Sequence, residues 1–242
     1  MPRESFRYPE TRDLFKLLEE TARRSAVSRA QAFEDFLLMS VCALSGGQME
    51  KQYMQTVAKH TEGKKGKRGC DSIAQMFGEM VNMMEDSRGE MKDVLGDLFE
   101  GAITYGEAGQ FLTPEPITRM LAKMTTADVP KELGHIPTVS DPCCGSGRML
   151  LAVAEEHSHW IFHGQDVDLR CVRMTAINLG LRNLYGYVVH GNSLTLKKQL
   201  VYRTGFNLRG MIREVPLEES PVCSSARSGN ERLSRWCGGA TR

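Results

Sequence analysis

Through the first hundred residues, apolar positions recur every three or four residues, the period of helices with one buried side. Leu14, Phe15, Leu17 and Leu18 mark a first helix, and Phe33, Phe36, Leu37, Val41 and Leu44 a second, the pair running from about Thr11 to Leu44. Gly46 and Gly47 close the second, and Met49 to Lys59 predicts a third. Helical spacing resumes at Ile73, Phe77, Met80, Val81 and Met84, and again at Val94, Leu95, Leu98 and Phe99. Between them, Gly63-Lys-Lys-Gly-Lys-Arg-Gly69 could touch a phosphate backbone, but a solvated loop accounts for it more simply. The pattern predicts an all-helical unit over residues 1–105.

Further on the pattern changes. A short apolar run from Ile136 to Val139 predicts a buried strand, and Met149, Leu150, Leu151, Val153 and Ala154 predict a helix. Between them lies Asp141-Pro-Cys-Cys-Gly145-Ser-Gly147, whose two glycines bracket a turn that a Cβ would obstruct. A strand, glycine turn and helix in this order open a doubly wound α/β fold, with its ligand beyond the carboxyl ends of the strands. Trp160 to Asp166 and Tyr187 to His190 predict two more strands, with a helix between them through Leu169, Val172, Ala176 and Leu179.

The glycine turn narrows the ligand. A dinucleotide fingerprint needs a third glycine where Leu150 stands, and a phosphate loop needs Lys-Ser or Lys-Thr where Arg148 and Met149 stand. Asp141 at the strand end would repel a pyrophosphate and attract an ammonium. S-adenosylmethionine carries an ammonium and no phosphate, so the loop favours it over NAD.

Three other positions bear on a ligand, each with a plain alternative. Thr113-Pro114 reads as an N-cap followed by a first helical residue. The free N–H groups there could receive a carboxylate, although capping explains the pair equally well. Asp166 ends a strand about twenty residues past the glycines, the spacing of an acid that binds ribose hydroxyls; Asp168 reads as a helix cap. Asn192, after Gly191, could offer an amide to an adenine ring or simply form a turn. His157, His159 and His163 straddle a helix end and a strand, so their side chains should diverge, and no metal site is expected.

A formal net charge of +1 gives no overall sign of a polyanionic partner and leaves a local basic patch open. The seven cysteines contain no Cys-x-x-Cys pair and read as reduced thiols in a cytoplasmic protein. Neither a membrane span nor a signal peptide is expected.

Gly-Gln-Phe-Leu-Thr-Pro (109–114), Asp-Pro-Cys-Cys-Gly-Ser-Gly (141–147), Gly-Gln-Asp (164–166) and Gly-Asn-Ser-Leu (191–194) occur in that order. Together they resemble the N6-adenine DNA methyltransferases, in particular the modification subunit of type I restriction systems, over about residues 95 to 195. The resemblance implies a Rossmann-like S-adenosylmethionine-dependent core over 106–200 behind the helical unit. It implies that Phe111 and Thr113 meet the methionine part of the cofactor and that Asp141, Gly145 and Gly147 line its amino acid end. Asp166 would hold the ribose and Asn192 would lie near the adenine, where the family usually has an acid. DNA is the implied substrate, with a specificity subunit and a restriction subunit as partners.

One family motif is missing. Asn-Pro-Pro-Phe or Asn-Pro-Pro-Tyr, which holds the flipped adenine, occurs nowhere in the chain, and Asn207 in Gly-Phe-Asn-Leu is a poor substitute. No catalytic residue is therefore assigned. Lys198 to Thr204 and Met211 to Val215 predict a hairpin, and from Pro221 the composition predicts a disordered tail, so that 201–242 stands apart. With three secure strands and two more in the hairpin, the sheet is expected to be incomplete, as in a shortened or frame-altered family member. Three functions follow: an adenine-N6 methyltransferase, an inactive cofactor-binding or assembly module, and an NAD-dependent oxidoreductase, which Leu150 and Asp141 disfavour.

Overall fold

The computed structural model describes residues 6–85, 90–104, 111–129, 134–207 and 210–220. The tail expected from Pro221 onward, with Gly109 and Gln110 of the first family motif, lies outside the described residues.

Five helices come first: α1 (Thr11–Arg24), α2 (Arg29–Ala43), α3 (Glu50–Ala58), α4 (Gly69–Glu85) and α5 (Val94–Leu98). α5 runs on into a π-helical turn, Phe99–Thr104. α1 buries Leu14, Phe15, Leu17 and Leu18, the stripe its spacing predicts. Ser28 caps the start of α2, its hydroxyl accepting the Gln31 N–H. α6 (Glu115–Thr126) then leads to the sheet, which is built from β1 (Thr138–Asp141), α7 (Arg148–His157), β2 (Ile161–Asp166), α8 (Leu169–Leu181), β3 (Gly186–Asn192), β4 (Lys197–Asn207) and β5 (Gly210–Val215). A 3-10 turn, Leu217–Glu219, follows.

The strands lie in chain order, β1-β2-β3-β4-β5. β1, β2 and β3 are parallel, while β4 runs antiparallel to both β3 and β5. Both crossovers, through α7 and α8, step the same way across the sheet, and the right-handed rule puts both helices on one face. That face joins α1–α5 in one continuous core, from Leu14 and Phe33 through Leu98 and Leu151 to Val172, Val188 and Tyr202. Gly186 is required for the pairing of β2 with β3, because a Cβ there would overlap the Phe162 carbonyl.

The opposite face has a smaller apolar cluster, Tyr187, Val189, Val201 and Val215. His163 stacks on Tyr187, with ring centroids 5.5 Å apart and an angle of 5° between the planes. It is only 3% exposed, and burial, helped by Lys198, pushes its pKa from 6.5 down to about 4. Below pH 6.5 the unfolded chain takes up a proton that the folded chain refuses. Stability is therefore full above pH 6.5 and falls toward pH 4, by up to about 1.4 kcal/mol per unit. Urea titrations across that range should show the loss, and His163→Phe should flatten it.

Candidate cofactor site

A cleft of about 580 Å³ opens at the carboxyl ends of β1, β2 and β3. Of the residues singled out in the sequence, Phe111, Thr113, Asp141, Gly145, Asp166 and Asn192 line it. Gly147 does not. It takes φ +86° as the left-handed N-cap of α7, where a Cβ would press on Thr175. Gly145, at φ +55°, is bare where a Cβ would come within 2.6 Å of Leu112 Cδ2.

The two carboxylates give the cleft its character. Asp166 holds the loop in place: one oxygen accepts the Gly145 N–H at 2.9 Å and the other the Asp168 N–H at 2.9 Å. A carboxylate has about four acceptor sites, so each Asp166 oxygen keeps acceptor capacity beyond its loop hydrogen bond. Asp141 accepts the Cys143 N–H at 3.0 Å through Oδ1. Burial, opposed by that hydrogen bond, and the charge of Asp166 raise the Asp141 pKa above the usual carboxylate value. Two close carboxylates suit donors such as an ammonium or hydroxyls and oppose a phosphate.

Two expectations change. Thr113 does not cap α6: the N-cap is Pro114 and no side chain closes the first turn. The Pro-Glu-Pro sequence starts the helix one residue later, so the Thr113 hydroxyl falls outside capping range, while its carbonyl accepts from Arg148 Nη1 at 3.1 Å. Asn192 serves the turn: its Oδ1 accepts the Leu194 and Thr195 N–H groups at 2.9 and 3.0 Å. Its amide NH2 is left as the group it can offer to a ligand. Asp168 caps α8 as read, accepting the Arg170 N–H. No group of three or more metal-ligating side chains occurs among the described residues.

A support behind the loop went unforeseen. Buried Asp93, at the start of α5, accepts from Ser146 Oγ and Arg148 Nε through Oδ2, and from Gly96 N and Asn178 Nδ2 through Oδ1. Arg148 also reaches Glu100 Oε2 at 3.0 Å, and Glu100 Oε1 accepts the Leu112 N–H. Thr175 Oγ1 donates to the Gly145 carbonyl at 2.9 Å. The helical region thereby holds both the glycine turn and the segment at 111–113. Apart from Asp93 as a helix cap, nothing in the local sequence signals this.

At the mouth, Phe111 is 78% and Leu194 93% exposed, with Val167 also open to solvent. These side chains give the carboxylate-lined cleft an apolar rim.

Residues 90–207 match the family described as N-6 DNA Methylase. Two solved structures are similar. One is a Listeria monocytogenes protein described as a class I S-adenosylmethionine-dependent methyltransferase, with 15% identity over 75% of this chain and 53% of that one, TM-score 0.44. The other is a type I restriction-modification system methyltransferase subunit from Streptococcus thermophilus, with 18% identity over 80% of this chain and 41% of that one, TM-score 0.40. The chain thus spans about half or less of the length of either. Every residue that lines the cleft falls within 90–207, the segment that matches the N-6 DNA methylase family.

Proposed function

We propose that the cleft binds S-adenosylmethionine and that the protein serves methyl transfer to the N6 of adenine in DNA. The observation that carries this reading is the pairing of Asp141 and Asp166 at adjacent strand ends around a glycine turn that lacks a phosphate-loop lysine. Asp166 has open acceptor sites for ribose hydroxyls, and Asp141 has an oxygen for the ammonium. The Asn192 NH2 can donate to an adenine nitrogen, while Val167 and Leu194 supply apolar contact for its ring. Phe111 and Thr113 face the methionine end. The cofactor would bring a methyl group on a sulfonium, already electrophilic, so the chain's task is to orient it and exclude water. As in the family, a specificity subunit would select the DNA sequence, and a restriction subunit would complete the assembly.

A second reading, a cofactor-binding or assembly module that transfers nothing, is favoured by the absence of Asn-Pro-Pro from the 242 residues. No other described side chain is assigned to accept hydrogen bonds from an adenine amine. Calorimetric titration tests the shared part: S-adenosylmethionine should bind at micromolar concentration and NADH should not. No binding by a folded chain, or preference for NADH, would overturn it. Radiolabelled methyl transfer to adenine in DNA by the purified chain would then exclude the inactive module. No helix among the described residues is long and apolar enough to cross a membrane.

A further inference from the structure

The sheet face turned away from α7 and α8 carries a row of side chains that the cleft does not use. Register sets Ser140, His163, Tyr187, Arg203 and Arg213 side by side across the five strands. The row is buried in the middle and cationic at one end. His163 Nδ1 is inaccessible to solvent and has no hydrogen-bond partner. Arg203 and Arg213 stand directly opposite each other on antiparallel β4 and β5, where like charges repel.

Among the described residues, no hydrogen bond or ion pair relieves that repulsion, and Arg213 Nε is shut off from solvent without an acceptor. Glu219 acts on the Tyr187 phenol but forms no ion pair with either arginine. Nearby, Lys198 donates to the Ser220 carbonyl. The sequence after Ser220 keeps the sign, with Arg227, Arg232, Arg235 and Arg242 against Glu231.

Two half-exposed guanidiniums on strands about 4.8 Å apart, lacking carboxylates, fit oxygen acceptors brought from outside. Phosphate matches the guanidinium fork, and a chain of phosphates can engage both forks. Tyr185, whose hydroxyl lies 3.2 Å from that of Tyr187, places a partly exposed ring beside them, as nucleotide-binding surfaces do. A membrane surface would instead call for a broad apolar face.

We propose that this back face of the sheet docks the phosphate backbone of nucleic acid through Arg203 and Arg213, without reading base sequence. The inference goes beyond the cofactor reading and stands independently of S-adenosylmethionine binding.

Fluorescence anisotropy of the full chain with labelled duplexes of unrelated sequence, at several salt concentrations, tests it. R203Q/R213Q should weaken binding to every duplex about tenfold or more near 0.1 M salt. It should also reduce the slope of log K against log salt by about two. R203K/R213K keeps the charge and should keep the slope, while K64Q/K65Q in the basic glycine loop should leave both unchanged. The thermal midpoint of R203Q/R213Q should hold or rise, because a repulsion is removed. The proposal is overturned if R203Q/R213Q binds like the parent chain, or if K64Q/K65Q is the variant that loses binding. It is also overturned if the parent binds phosphatidylserine vesicles and no duplex. If R203Q/R213Q does not fold, R203K/R213K decides: a slope reduced as for a lost contact would remove the phosphate role.

Discussion

Asp166→Ala should raise the dissociation constant for S-adenosylmethionine by about 100-fold or more, some 2.7 kcal/mol. The carboxylate does two jobs that fail together. It accepts the Gly145 and Asp168 N–H groups that hold the glycine turn against the end of β2, and its open acceptor sites are those proposed for the ribose. Asp168→Ala, two residues on, is the control. It removes the N-cap of α8 and should cost about 1 kcal/mol of stability while leaving cofactor affinity within about threefold. Calorimetry with both variants separates the roles. If Asp166→Ala still bound at micromolar concentration, the ribose assignment would fall.

Asp93→Ala carries the largest expected loss of stability, about 3–5 kcal/mol, the range for removing one partner of a buried ion pair. Four donors converge on this carboxylate, and one of them, the Arg148 guanidinium, would keep Glu100 as its one carboxylate beside the Thr113 carbonyl. Asp93→Asn keeps an acceptor but not the charge, and should fall between alanine and the parent. Urea denaturation gives the order. A loss below about 1 kcal/mol for alanine would mean that water or a rearranged Arg148 replaces the carboxylate without cost.

Local signals made much of this molecule legible in the sequence. The glycine turn with a preceding acid and the hairpin after Leu196 depend on neighbours a few residues apart, and the second acid on a fixed spacing of about twenty residues. Asp166 and Gly145 meet as that spacing implies. Thr113 was misread because a Thr-Pro pair fits a cap in two registers, and only the backbone shows that Pro114 takes the position. The Asp93 network was not legible, since its partners Ser146, Arg148 and Asn178 lie 53 to 85 positions away. The Arg203–Arg213 pair was hidden for a related reason. Which residues share a row depends on strand register, and the predicted hairpin left its register open.

The chain-order strand arrangement also bears on how the molecule folds. Every ladder joins strands consecutive in sequence, so no strand has to pair with one from a distant part of the chain. The β4–β5 hairpin can close within microseconds, whereas β1, β2 and β3 must wait for the crossover helices between them. The two acids of the cleft sit on those later strands, so the ligand pocket is expected to mature last. A ligand that binds only the finished pocket would then slow its reopening and add stability by mass action. Hydrogen exchange at β1 and β2, with and without S-adenosylmethionine, would follow that final step directly.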